Sequence, residues 1–122
     1  KNSLLQGPKY LGHLVPYDLE KIYRNSDILV LPSLSDAFPT VHLEAMSFGI
    51  PVILSDACGS IVRDGVDGFI VPAKDTNFIK KRIEELVENR ELRNKMSKAA
   101  KERINNYKLE NYFDTLSKVL KV

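Results

Sequence analysis

Short continuous apolar runs alternate along the chain with segments whose apolar residues recur at helical spacing. Runs at residues 28–31, 51–54 and 69–71 have the length and continuity of strands that are buried on both faces of a parallel sheet. A further short strand is predicted at residues 9–14, interrupted by Gly12. Strands that alternate with helices favour an α/β fold, a three-layer α/β/α Rossmann-like parallel sheet with right-handed crossovers.

Proline and glycine indicate where the helices between these strands begin and end. Pro16 leads into one helix. Pro39 suits the first turn of a second helix, and Gly49 is its predicted C-terminal cap. The apolar face of the first helix consists of Leu19, Ile22 and Tyr23. Turns before the strand at residues 69–71 are predicted at Asp64-Gly65 and Asp67-Gly68.

The rest of the chain is predicted to be helical. It carries three apolar stripes, which we interpret as packing faces. The stripes are Ile79, Ile83, Leu86 and Val87; Leu92, Met96, Ala99 and Ala100; and Leu109, Tyr112, Phe113, Leu116, Val119 and Leu120.

The candidate chemistry lies where the strand at residues 28–31 leads through a loop into the helix at Pro39. In open parallel sheets, ligands bind beyond the carboxyl ends of the strands, and the N–H groups of a helix N-terminus attract phosphate. The backbone of residues 37–41 is therefore the predicted phosphate-binding segment. The candidate ligand-binding residues there are Phe38, Pro39, Thr40 and Val41. Gly12 and His13, at the end of the first predicted strand, are candidates for bordering the nucleotide base.

Two carboxylates, Asp36 and Glu44, are the candidate catalytic residues. Glu44 lies one turn inside the helix, where it can accept hydrogen bonds from the paired hydroxyls of a ribose. Asp36, on the preceding loop, can bind hydroxyls of a sugar. The plain alternatives are a helix-surface carboxylate for Glu44 and a loop or capping residue for Asp36. Neither role makes the residue a general base.

Motifs spread over most of the chain resemble the carboxyl-terminal, donor-binding half of family 4-like retaining glycosyltransferases with the B fold (GT-B). They are Pro32-Ser33, Asp36-Ala37-Phe38-Pro39, Leu43-Glu44-Ala45-Met46, Gly49, Pro51-Val52, Ser55-Asp56, Val62-Arg63-Asp64-Gly65, Gly68 and Val71-Pro72. The resemblance implies a donor site for a nucleotide-diphosphate sugar. It also implies that residues 1–122 are one donor-binding domain, truncated at its N-terminus and partnered by a missing N-terminal Rossmann domain.

The chain departs from the family pattern at two places. It has Asp-Ala-Phe-Pro at residues 36–39 where the family has Glu-Gly-Phe-Gly, so that Pro39 removes one N–H group. Residues 57–61 form a segment about two residues shorter than the family's, without its acidic residue. These departures favour the alternative function, a non-catalytic module that binds nucleotide sugar or a partner.

Charge and composition limit the classes of binding partner and the compartment that we expect for this chain. The net charge is +2, from 18 basic and 16 acidic side chains, which argues against nucleic acid. The basic run Lys80-Lys81-Arg82 is followed by two glutamates, so we interpret it as a solvated helix face, with membrane-surface attraction as the minority alternative. The single cysteine, Cys58, is consistent with a reducing compartment. The expected location is cytoplasmic, with peripheral contact at the inner face of a membrane as a further alternative.

The resemblance implies transfer of a sugar from a nucleotide-diphosphate donor, with retention, to a glycan, lipid or small-molecule acceptor. The expected partners are that donor and a sugar, lipid-linked glycan or polysaccharide acceptor. No cofactor or metal is expected, because His13 and His42 lack further ligands at useful spacing.

Overall fold

The computed structural model describes residues 12, 16–34 and 40–120. The predicted strand at residues 9–14 falls outside this part, apart from Gly12. The elements, in chain order, are helix α1 (Pro16–Arg24), strand β1 (Leu29–Leu31), helix α2 (Thr40–Ser47), strands β2 (Val52–Ser55) and β3 (Gly68–Val71), and helices α3 (Thr76–Glu88) and α4 (Arg90–Leu120). The strands and helices predicted within the described part are therefore confirmed.

The three strands form a parallel sheet in the order β1-β2-β3. Val52, at the start of β2, pairs with Leu29 of β1 on one side and with Gly68 of β3 on the other. All four residues of β2 are buried, as expected of the central strand of a covered parallel sheet. The carboxyl ends of the three strands therefore meet at one edge, where the predicted site lies.

Helices cover both faces of the sheet and divide the core in two. On one face, Val52 and Leu54 of β2 pack with Tyr23 of α1 and with Ala45 and Met46 of α2. On the other face, Ile53 of β2 packs with Phe69 and Val71 of β3 and with Leu86 of α3. This arrangement confirms the three-layer α/β/α fold.

Helix α4 contributes to both cores. Met96 lies in the core shared with α3, whereas Ala100 and Ile104, one and two turns further on, lie in the core shared with α1 and α2. The second and third apolar stripes therefore lie on one helix of 31 residues, which passes from one face of the sheet to the other.

Asn89 separates α3 from α4 and caps both helices. Its N–H donates to the carbonyl of Glu85, 3.0 Å away, and its side-chain oxygen accepts from the N–H of Leu92, also at 3.0 Å. Asp75 caps the other end of α3 by accepting from the N–H of Phe78 at 3.0 Å. At the N-cap of a helix, side-chain oxygens of Asp and Asn accept from amide groups that have no partner within the helix.

Three details of the sequence prediction are wrong. Val87 and Leu109, assigned to packing faces, are 48% and 54% exposed. Gly68 is not a turn residue but the first residue of β3. In the basic run, Arg82 is not solvated like its two neighbours: its guanidinium lies 4.3 Å from the ring centre of Phe69, a cation–π contact between α3 and the sheet.

Candidate functional site

The ends of β1 and β2 are joined at the carboxyl edge of the sheet. The Ser55 hydroxyl, on the last residue of β2, donates to the carbonyl of Ser33, two residues beyond β1. Helix α2 then begins at Thr40, and Thr40 and Val41 are both exposed. The first turn of α2 thus follows the carboxyl end of β1 and exposes Thr40 and Val41 to solvent, whereas His42 points into the core.

The predicted site residues divide between described and undescribed parts of the chain. Asp36, Phe38, Pro39 and His13 lie outside the described residues. Thr40, Val41 and Glu44 lie together on α2. Gly12 is exposed with a φ of +73°, and a side chain at this position would meet open space.

Glu44 is exposed and one of its carboxylate oxygens is held by Tyr23. The Tyr23 hydroxyl, from α1, donates to Oε1 of Glu44 at 3.0 Å. Tyr23 itself is only 8% exposed, and its ring stacks on Phe48 with the ring centres 5.3 Å apart. The carboxylate is therefore anchored from below by a buried side chain.

Sequence reasoning missed Tyr23, which it assigned to an apolar helix face. The ring does pack in the core, as that assignment requires. The signal that could have found its second role is the hydroxyl, because a buried tyrosine usually finds a hydrogen-bond partner for its O–H. Burial raises the pKa of Tyr23 to about 12, with the hydrogen bond to Glu44 and the carboxylate's charge adding to the effect. The raised pKa keeps Tyr23 protonated, and a donor, into alkaline solution in which an ordinary tyrosine with a pKa of 10.0 loses its proton.

Residue Ile61, in the loop after β2, is held by both of its backbone polar groups. Its N–H donates to Nε2 of His42 at 3.3 Å, and its carbonyl accepts from Nε of Arg103 at 3.0 Å. His42 is fully buried in the first turn of α2, and Arg103 lies on α4. Two helices thus fix the segment that departs from the family pattern in length, and His42 has a structural contact with it.

An ion pair between Arg63 and Asp67 stabilises the next part of the loop, which leads into β3. Both carboxylate oxygens of Asp67 accept from the guanidinium of Arg63, at 2.7 and 3.0 Å, and Asp67 Oδ2 also accepts from the backbone N–H of Arg63 at 2.9 Å. Asp67 is fully buried, and its hydrogen bond raises the pKa of Arg63. These contacts hold the chain directly before β3 and engage both carboxylate oxygens of Asp67.

Within the part of the chain that the structure describes, no group of three or more His, Cys, Asp and Glu side chains is placed to hold a metal ion. The same residues include no helix that is both long and apolar enough to cross a membrane.

Comparison with known proteins agrees with this architecture. The family model described as glycosyl transferases group 1 matches residues 4–103. The chain belongs to this family. Among curated relatives of this group 1 chain, sulfoquinovosyl transferase SQD2 of Arabidopsis thaliana is 33% identical over 103 residues, covering 80% of the chain and 20% of the relative.

Solved structures share the fold of this group 1 chain. Anabaena Alr3699/HepE in complex with UDP and glucose matches with a TM-score of 0.76 at 23% identity, over 90% of this chain and 32% of that one. The C-terminal domain of the glycosyl transferase group 1 family protein LpcC from Francisella tularensis matches with a TM-score of 0.71 at 24% identity, over 81% of this chain and 51% of that domain's. The group 1 chain spans about a fifth of the length of the curated relative, sulfoquinovosyl transferase SQD2.

Proposed function

We propose that this group 1 chain is the donor-binding, carboxyl-terminal domain of a retaining glycosyltransferase that uses a nucleotide-diphosphate sugar. The observation that carries the proposal is Glu44: an exposed carboxylate, held in place one turn inside a helix whose N-terminus lies at the carboxyl ends of parallel strands. Such an edge is where open α/β sheets bind nucleotides. Support also comes from the structure with UDP and glucose, which shares this fold.

In the proposed mechanism, this domain receives the negative charge that develops on the departing diphosphate. Backbone N–H groups at the start of α2, near Thr40 and Val41, face that charge, because the first amides of a helix have no partner within it. Glu44 accepts hydrogen bonds from the ribose hydroxyls, and Asp36 binds hydroxyls of the transferred sugar. No residue of this chain is assigned as a nucleophile, and no metal or cofactor is required of it.

The acceptor, a sugar, lipid-linked glycan or polysaccharide, would bind mainly on a second Rossmann domain. The match to a C-terminal domain of another group 1 protein supports the placement of this chain on the donor side. The alternative of a non-catalytic module that binds nucleotide sugar is favoured by Pro39, which lacks the N–H that a glycine would supply to a phosphate. Donor binding is common to both.

Titration with nucleotides tests donor binding. We expect UDP, GDP or ADP to bind more tightly than the matching nucleoside, because the helix N-terminus acts chiefly through phosphate. Amide NMR shifts should centre on the first turns of α2, at residues 40–44, and on the strand ends beside it. Shifts confined to the opposite edge of the sheet, or no shifts at millimolar nucleotide, would refute the site.

The variant Glu44→Gln tests the assigned carboxylate. Losing a charge-assisted hydrogen bond should weaken binding of the nucleoside diphosphate with the highest affinity by about 1.5–3 kcal/mol. The melting temperature should change little. Glu84→Gln is the matched control, because Glu84 is also exposed on a helix, in α3 on the other face of the sheet. Unchanged nucleotide affinity beside a large drop in melting temperature would make Glu44 structural.

A further inference from the structure

The hydroxyl of Tyr23 has a place in the site that the proposed function does not yet use. We propose that Tyr23 is a positioning residue for nucleotide binding: its hydroxyl holds Oε1 of Glu44, so that the carboxylate is oriented for ribose before the nucleotide arrives. The inference rests on the proposed function, because it assigns Tyr23 a role through Glu44.

The bond joins a fixed donor to an exposed acceptor. Tyr23 is 8% exposed, belongs to the core between the sheet and helices α1 and α2, and stacks on Phe48 at an angle of 22° between the ring planes. The guanidinium of Arg24 lies 5.4 Å from the centre of the Phe48 ring. The tyrosine ring therefore has little freedom, and its hydroxyl marks a fixed point beside α2.

Glu44 keeps the capacity to bind a diol. A carboxylate offers two oxygens with about four acceptor sites, of which Tyr23 uses one. Among residues 18–34 and 40–111, no other side chain or backbone group hydrogen-bonds to the Glu44 carboxylate. Oε2 and the remaining site on Oε1 suit the two adjacent hydroxyls of a ribose, which donate two hydrogen bonds side by side.

Holding the carboxylate in advance raises affinity. An exposed glutamate otherwise samples several rotamers, and a ligand that orders it must offset that lost freedom. A tyrosine hydroxyl keeps its proton at neutral pH even with its ordinary pKa of about 10, so the contact persists under the conditions in which nucleotides bind. The effect should appear only with ligands that have ribose hydroxyls.

The test compares Tyr23→Phe with the wild-type chain by calorimetric titration. The ligands are the nucleoside diphosphate that binds most tightly among UDP, GDP and ADP, and its 2′,3′-dideoxy analogue. Tyr107→Phe is the matched control, because Tyr107 is half-buried against the same core and its hydroxyl makes no hydrogen bond to the described residues. Phenylalanine keeps the stacked ring, and melting temperatures verify that each variant is folded.

We expect Tyr23→Phe to weaken binding of the ribose-containing nucleotide by about two- to tenfold, the range for ordering one exposed side chain, and to leave binding of the dideoxy analogue unchanged. The Tyr107→Phe variant should bind both ligands as the wild-type chain does. Adding Tyr23→Phe to a Glu44→Ala chain should then cause no further loss, since the residue acts through Glu44.

The contrary outcomes separate the proposals. Equal weakening of both ligands, or a further loss in the Glu44→Ala chain, would make Tyr23 merely structural. An unchanged Tyr23→Phe variant would overturn the positioning role and leave the ribose role of Glu44 standing. A wild-type chain that binds both nucleotides equally, or neither, would overturn the ribose role and the positioning role together.

Discussion

Gly68, the first residue of β3, lies directly against the backbone of β2. A Cβ atom there would collide with the carbonyl oxygen of Val52 and lie 2.9 Å from its amide nitrogen. Both are backbone atoms of the central strand, so neither can move aside as a flexible side chain would. Gly65 differs: its φ is +80°, yet a Cβ atom would meet open space.

We expect Gly68→Ala to lower the free energy of unfolding by about 3 kcal/mol or more, because an added methyl group must push two strands apart. Gly65→Ala should cost about 1–2 kcal/mol, from its left-handed backbone conformation alone. Urea denaturation of the two variants measures both values. Equal losses would contradict the role of close strand approach at Gly68.

Tyr23 makes stability depend on pH at alkaline values. Its pKa is raised from 10.0 to about 12, so the folded state favours the protonated hydroxyl. The resulting stabilisation is fully present below pH 10 and is lost as the pH rises to about 12. The fall in the urea midpoint across this interval should be steeper for the wild-type chain than for Tyr23→Phe. If the urea midpoints of the two chains fell in parallel with pH, the Tyr23 hydroxyl would titrate alike in the folded and unfolded states.

The sequence was sufficient to place Glu44 on a helix after a parallel strand, because that placement depends on the local pattern around residues 28–49. Its partner Tyr23 lies 21 residues away. A contact of this kind depends on how α1 packs against α2, which apolar periodicity does not specify. The same reason applies to His42, whose partner Ile61 lies 19 residues away.

At the scale of elements, the loop after β2 depends on contacts from α2 and α4. Arg103→Met should lower the free energy of unfolding by about 1–3 kcal/mol, since the carbonyl of Ile61 loses a charged donor. Amide hydrogen exchange should also quicken in residues 56–62 more than in the strands. Lys98→Met, an exposed position on the same helix, is the control. Equal effects of the two substitutions would show that Arg103 does not hold the loop.

The strands were predictable because residues buried on both faces must be apolar throughout, and few other elements carry so short an apolar run. The division of the C-terminal part into helices α3 and α4 could not be predicted in the same way. Three stripes indicate helix, but a stripe does not tell which face of the sheet it covers. Nor do the stripes show that Val87 and Leu109 lie at the margins of their own stripes, where they are exposed.

At the scale of the whole molecule, the proposed two-domain enzyme would take only one wall of its cleft from this α/β lobe. We therefore expect the 122-residue chain to bind nucleotide without transferring sugar, because the reaction needs an acceptor held in line with the anomeric carbon. A radiolabelled-donor assay with cell extract as the acceptor source should give no product above background. A group 1 protein that joins this domain to a second Rossmann domain should give product that retains the donor's configuration. Robust transfer by the chain alone would contradict the two-domain model.

The passage of α4 from one face of the sheet to the other has a consequence for unfolding. Met96 and Ile104 belong to separate cores, yet they lie on one continuous helix. Neither layer can melt alone without fraying the helix that also covers the other. The two cores are therefore coupled into one cooperative unit, and calorimetric and van't Hoff enthalpies of unfolding should agree.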